Sequence, residues 1–176
     1  MTKPAIFLDR DGVLNKAIPK NNLKKTRPPY NISELKIYKD LKFINQYKNK
    51  YLIFIITNQP DIKKGLQTKK FNNFINMQIK KIIKVNGIYT CECLEIDKEC
   101  YCYKPKPGLI KKILSRYDIS LKESYLIGDT WRDIKLANYF KIKSIHMMRS
   151  NIDYTLGMNT NYRIKTLKSL KSIIDV

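Results

Sequence analysis

Tyr51-Leu52-Ile53-Phe54-Ile55-Ile56-Thr57-Asn58-Gln59 is an unbroken apolar run that ends in a hydroxyl and two amides. Six residues are too few to cross a membrane. The run is β-branched and apolar on both faces, which predicts a strand covered on both sides, as in the centre of a parallel sheet. Ligands of open α/β sheets bind outside the carboxyl ends of the strands, where the strand order reverses. Thr57, Asn58 and Gln59 stand at such an end, where a phosphate could rest. A helix cap or turn is the plain alternative.

The rest of the chain alternates in the same way. Ala5–Leu8, Ile88–Thr90, Ser124–Ile127 and Lys143–Met148 read as strands. Asp40–Tyr47, Thr68–Val85, a segment opened by Pro107, and Trp131–Phe140 read as helices. Phe71, Phe74, Ile75, Gln78, Ile79, Ile82 and Ile83 are expected on one side of the second of these. The tail from Tyr162 to Ile174 reads as a short strand and a helix. Strands alternating with helices predict an α/β fold, a Rossmann-like parallel sheet with helices on both faces. Residues 1–176 fit one domain with a real core. The span from Asn15 to Ser33 is expected to be a long loop without an element of its own.

Other strand ends add chemistry. Asp9-Arg10-Asp11-Gly12 follows the first strand, and its two aspartates can point into one cleft, although Asp-Gly is also a common turn. Gly128-Asp129 closes a later strand, with Asp133 one helical turn on. That carboxylate alone would be an ordinary helix-start acid. Lys104 is held between Tyr103 and Pro105, and a residue before proline is biased toward an extended shape. Carboxylates, a hydroxyl and a cation on one rim fit magnesium and a phosphoryl group.

All four cysteines fall in two close pairs, Cys91/Cys93 and Cys100/Cys102, just before Lys104. Four thiolates at this spacing suit one tetrahedral structural zinc with no open position for water. Two surface disulfides are the other reading, but nothing else points to export, and cytosolic thiols stay reduced. The amino-terminal apolar run is too short for a signal peptide, so a soluble cytoplasmic protein without a membrane partner is expected. The formal charge is +20. A nucleic-acid partner is one reading of it. The lysines are scattered and arginine is scarce, which favours a solvated lysine surface that still draws in anions. Trp131 is expected to pack its helix, and His146 to sit in the core.

The strings Phe7-Leu8-Asp9-Arg10-Asp11-Gly12-Val13-Leu14-Asn15, Thr57-Asn58-Gln59, the cysteine loop with Lys104-Pro105-Lys106-Pro107-Gly108, and Gly128-Asp129-x3-Asp133 resemble the haloacid dehalogenase-like phosphatases. Within that family they are similar to the small zinc-loop branch of heptose bisphosphate and histidinol-phosphate phosphatases, over nearly the whole chain. The resemblance implies little or no cap domain, a zinc-stabilised loop, and Mg2+ and Zn2+ as cofactors. It implies a monomer acting on a small phosphorylated sugar through an aspartyl-phosphate. Asp9 would be the nucleophile and Asp11 the general acid and base. Asp9, Asp11 (through its carbonyl) and Asp129 would hold magnesium, with Asp133 nearby. Thr57, Asn58 and Lys104 would grip the phosphate, and Lys104 would also orient Asp9. Arg10, Asn15, Gln59 and Thr130 are further candidate substrate contacts, and Cys91, Cys93, Cys100 and Cys102 the zinc ligands.

The chain departs from the branch at five places. Cys93 replaces a histidine ligand, Tyr103 an arginine, Thr130 a lysine and Pro60 a small residue, and the loop over 16–29 is longer. Substrate choice would fall to that loop, to Pro60–Gly65 and to the zinc loop. Histidinol-phosphate phosphatase and a nucleic-acid 3′-phosphatase stacking bases on Tyr101 and Tyr103 are the alternative activities.

Overall fold

Phe7 lies between Phe54 and Leu126 in register, at the centre of one parallel sheet. The computed structural model describes residues 2–20, 25–150 and 154–175. Residues 21–24 of the long loop therefore lie outside the described residues. Six strands make the sheet: β1 (Ala5–Leu8), β4 (Leu52–Asn58), β5 (Gly87–Cys91), β6 (Tyr125–Gly128), β7 (Lys143–Met147) and β8 (Tyr162–Ile164). Their spatial order is β5-β4-β1-β6-β7-β8. The chain builds outward from β1 on one side, then returns to build outward on the other. The strand order thus reverses at β1, as the doubly wound pattern requires.

Alternation along the strands makes two cores. Ile6, Leu8, Ile53 and Ile55 face one layer, while Ala5, Phe7, Phe54 and Ile56 face the other. Successive strand side chains point to opposite faces, so a strand apolar throughout must be covered twice. On the second face Phe54 meets Phe7 at 5.8 Å and Tyr117 at 4.9 Å between ring centroids.

The helices are α1 (Pro60–Lys63), α2 (Lys69–Ile82), α3 (Gly108–Leu114) and α4 (Trp131–Phe140). Sequence periodicity misses α1, a single turn begun by Pro60, whose fixed φ suits a first helical position. Thr68 caps α2 by accepting the Phe71 N–H at 3.1 Å. That helix buries Asn72, Ile75 and Ile79 and leaves Ile82 partly exposed, so its inner face is rotated from the expected one. Residues Lys39–Tyr47 and Leu167–Ser172 form 3₁₀ helices. Leu41, Ile44 and Tyr47 recur every third residue, as do Leu167 and Leu170, which matches three residues per turn. The span expected to be a bare loop carries a small antiparallel pair, β2 (Ile18–Pro19) with β3 (Thr26–Arg27). Its two-residue strands are too short to show alternation. None of the described helices is long and apolar enough to cross a membrane.

Asp40 ties three of these pieces together. It accepts from Arg149 Nη2 at 2.8 and 2.9 Å, from Thr166 Oγ1 at 2.7 Å and from the Leu167 N–H at 2.8 Å. Arg149 also reaches the Val13 carbonyl through Nε at 3.2 Å. Burial works to raise the carboxyl pKa, but the hydrogen bonds from Thr166, Arg149 and Leu167 outweigh it and hold it below the ordinary value. A carboxylate depressed in the folded state contributes stability above its unfolded pKa and loses it as pH falls through the folded one. Asp40→Asn should lower the melting temperature at pH 7 by roughly 3–10 °C, from a loss of about 1–3 kcal/mol. The gap to wild type should narrow below about pH 4. Melting curves at both pH values check this, and a gap that widens in acid would contradict it.

Candidate active site

Three neighbouring strands end at one cleft. Asp9 follows β1, Thr57 and Asn58 end β4, and Asp129 follows β6. Lys104 reaches the same place from the cysteine loop that leaves β5. The cleft, ≈ 450 Å³, is lined by Asp9, Asp11, Thr57, Lys104, Asp129 and Thr130 among others. Lys104 lies at its base, 3% exposed. Its Nζ donates to Asp9 Oδ1 at 2.7 Å, Asp133 Oδ1 at 2.7 Å and the Ile56 carbonyl at 3.0 Å. An ammonium has three donors, and all three are used. Burial opposes the charge on Lys104, yet the carboxylates of Asp133 and Asp9 outweigh it and raise the pKa. The Asn58 side chain is spent on the same lysine. Its Oδ1 accepts the Lys104 N–H at 2.9 Å, and its Nδ2 donates to the Lys104 carbonyl at 3.1 Å.

Asp11 sits in a cage of donors. Arg10 Nε and Nη2 reach its Oδ2 at 3.3 and 3.0 Å. Gln59 Nε2 reaches Oδ2 at 2.5 Å, and Asn15 Nδ2 reaches Oδ1 at 2.8 Å. Gln59 also donates to Thr57 Oγ1 at 2.7 Å. Arg10, Asn15 and Gln59 are all 0% exposed. None of the three is among the residues that line the cleft; their side chains stand behind its wall and hold Asp11. Arg10 is itself anchored by α2, through Asn72 Oδ1 at 2.5 Å and Asn76 Oδ1 at 3.0 Å. A buried guanidinium needs such partners. The i, i+4 asparagines on an amphipathic helix were the sequence signal for this anchor.

Asp9, Asp129 and Asp133 gather carboxylate oxygens within 4.8 Å of one another. Burial, with the Asp133 and Asp11 charges and against Lys104, pushes Asp9 up to about 7. Burial and the nearby Asp9 and Asp133 charges also raise Asp129 well above its ordinary value. Asp129 Oδ1 is buried and has no hydrogen-bond partner. Asp133, in contrast, has both oxygens engaged: Oδ1 with Lys104, and Oδ2 with Thr130 Oγ1 at 2.7 Å, where it also caps α4. A hard divalent cation between Asp9 and Asp129 would satisfy the orphan oxygen and offset the crowded negative charge, so the donor set fits one. Gly12 makes room for this. Its φ is +96°, and a Cβ there would stand 1.9 Å from Asp129 Oδ2.

The four cysteines are free thiols gathered in one cluster. Three sulfur separations are 3.7–3.8 Å, and Cys91 to Cys102 is 2.6 Å. Zinc–sulfur bonds of about 2.3 Å imply tetrahedral edges near 3.8 Å, so the donor set fits a zinc ion with one edge drawn in. The loop is also tied outward by Lys63–Asp97 at 2.8 Å and Lys69–Glu92 at 2.9 Å.

The outer wall holds residues that sequence reasoning missed or misplaced. Trp131, for which helix packing is favoured over a sugar-platform role in the sequence, lines the cleft beside Arg132 and Glu95. Tyr103 is buried and Tyr101 is 55% exposed against Lys111, so the two do not form one stacking face.

Residues 101–161 match a family model described as HAD-hydrolase-like. The D-glycero-alpha-D-manno-heptose-1,7-bisphosphate 7-phosphatase of Photorhabdus laumondii is 34% identical, over 92% of this chain and 94% of its own. The D-glycero-beta-D-manno-heptose-1,7-bisphosphate 7-phosphatase of Helicobacter pylori J99 is 28% identical, over 99% and 97%. A crystal structure of the D,D-heptose 1,7-bisphosphate phosphatase of B. bronchiseptica, complexed with magnesium and phosphate, superposes with a TM-score of 0.77 and 25% identity, covering 97% of each chain. With the strand order, the carboxylates after β1 and β6 and the lysine between them, these likenesses have one meaning: the chain belongs to the haloacid dehalogenase-like phosphatases, in the same branch as these relatives.

Proposed function

We propose that this protein hydrolyses the 7-phosphate of D-glycero-D-manno-heptose 1,7-bisphosphate, with Asp9 as nucleophile. The observation that carries the reading is the Lys104 ammonium shared between Asp9 and Asp133 at the foot of the cleft. It fixes one Asp9 oxygen and leaves the other to attack. The relatives that cover nearly the whole chain act, by their names, on this sugar.

Asp9 attacks phosphorus as the bond to the sugar oxygen breaks, and Asp11 gives that oxygen its proton. The product of this step is an aspartyl-phosphate on Asp9. Asp11, now a carboxylate, takes a proton from water as the water attacks phosphorus, releasing phosphate and restoring Asp9. Thr57, through its hydroxyl proton, and Lys104, through its charge, stabilise the phosphoryl oxygens. Arg10, Asn15 and Gln59 keep Asp11 on the leaving-group side. Asp9, the carbonyl of Asp11 and Asp129 would hold magnesium, which when bound supplies charge stabilisation at the phosphoryl group. Zinc held by Cys91, Cys93, Cys100 and Cys102 would fix the loop that delivers Lys104.

Two outcomes are expected. Asp9→Asn should lower phosphate release from the heptose bisphosphate, in magnesium, by at least about 1,000-fold, with an unchanged circular dichroism spectrum. Turnover near wild type would sink the assignment. Purified protein should carry one zinc per chain by elemental analysis, and Cys91→Ser should lose that metal and melt roughly 5–10 °C lower. Metal-free wild type with the same melting temperature as the variant would count against the structural zinc.

A further inference from the structure

We infer that Arg132 is the residue that recognises the second anionic group of the substrate, and that Glu95 holds its place when no substrate is bound. The inference rests on the bisphosphate reading above and extends it to the far end of the same cleft. Arg132 is in the first turn of α4, next to Asp133, but the two side chains part company. Asp133 turns inward to Lys104, while Arg132 lines the outer cleft. Its guanidinium lies over two cleft-wall rings, Trp131 at 4.9 Å and Tyr103 at 5.9 Å, which restrict its orientation.

Its hydrogen bonding is incomplete. Nη2 donates to Glu95 Oε1 at 2.8 Å, while Nε is buried and has no partner. The Nε–Nη2 edge is a fork that accepts two oxygens of a carboxylate or phosphate side by side. Glu95 fills half of it, from a side chain 52% exposed on the cysteine loop. An exposed single-contact ion pair is worth little, so a phosphate offering both oxygens displaces it. The other cleft-lining cations are less suited: Lys20 and Lys25 are lysines and cannot form the fork, and Lys104 is taken up by Asp9 and Asp133. Arg27 is bound in two places to Glu34, at 2.7 and 2.8 Å, and Lys64 pairs with the buried Asp61 at 3.1 Å. Arginine is what the resemblance expects at position 103, and Arg132 brings the same group over Tyr103 from a different element.

The test compares kcat/KM for heptose 1,7-bisphosphate with that for heptose 7-phosphate, in magnesium. Arg132→Ala should lower the ratio of the two by about 10- to 100-fold, mainly through KM for the bisphosphate. Arg132→Lys should restore only part of it, since a lysine cannot form the fork. Glu95→Gln, which removes the competing charge, should move the ratio the opposite way. If Arg132→Ala and Glu95→Gln leave the ratio at its wild-type value, the inference is overturned and the phosphatase reading stands. If wild type hydrolyses neither sugar phosphate, it is the phosphatase reading that falls, and this inference with it.

Discussion

The site depends on one buried ammonium. Lys104 can remain charged at 3% exposure because Asp9, Asp133 and the Ile56 carbonyl accept its three N–H hydrogen bonds. An unpaired buried charge would cost several kcal/mol, on the order of what holds a whole domain together. Three elements must therefore arrive in register: the end of β1 for Asp9, the end of β4 for Ile56, and the first turn of α4 for Asp133. Asn58 adds a fourth tie by gripping the Lys104 backbone from both sides. The parallel sheet sets the spacing of the strand ends, and the lysine converts that spacing into one fixed orientation of the Asp9 carboxylate.

The same arrangement leaves an electrostatic deficit. Asp9, Asp129 and Asp133 crowd one buried ammonium, and burial first, then the neighbouring carboxylate charges, raises the pKa values of Asp9 and Asp129. Asp129 carries the deficit most plainly, with a buried oxygen that meets no donor. A fold that spends Asp133 on Lys104 and on the cap of α4 leaves Asp9 and Asp129 as the pair short of positive charge. The fit of this donor set to a divalent cation thus follows from hydrogen bonds the protein has already committed, and Gly12 keeps the approach to Asp129 free of a side chain.

Much of this was legible in the sequence, for identifiable reasons. β1 and α4 have the expected bounds because a doubly buried strand and an amphipathic helix each repeat a strong pattern over their whole length. Asp9, Thr57, Lys104 and Asp129 could be placed at one rim from the sequence because each ends or follows an apolar strand or the cysteine loop. What escaped was decided by contacts between distant segments. Arg10 looks like a cleft residue when only Asp9 and Asp11 are in view. Asn72 and Asn76, more than sixty positions later, turn it inward. The inner face of α2 was misjudged for the same reason, since Asn72 is buried by its bond to Arg10 rather than by hydrophobicity. The 3₁₀ type of the helices over Lys39–Tyr47 and Leu167–Ser172 could not be told from the sequence, because three-residue and 3.6-residue spacings differ little over two turns. The pair β2–β3 left no periodic trace.

The formal charge of +20 does not choose a substrate. A field of that sign raises the local concentration of every anion, from a sugar phosphate to a nucleic acid. Selection has to come from charges whose positions are set. Around the cleft, Arg27 is tied to Glu34, Lys64 to Asp61 and Arg132 to Glu95, so these cations are not freely available to a passing polyanion. A ligand gains from them only by offering oxygens better placed than the resident carboxylate. The scattered lysines bring anions to the surface, and the paired cations at the rim make close fit the condition for staying. On this division the lysine-rich composition can drift widely without altering specificity, whereas the exchange of one rim carboxylate or guanidinium cannot.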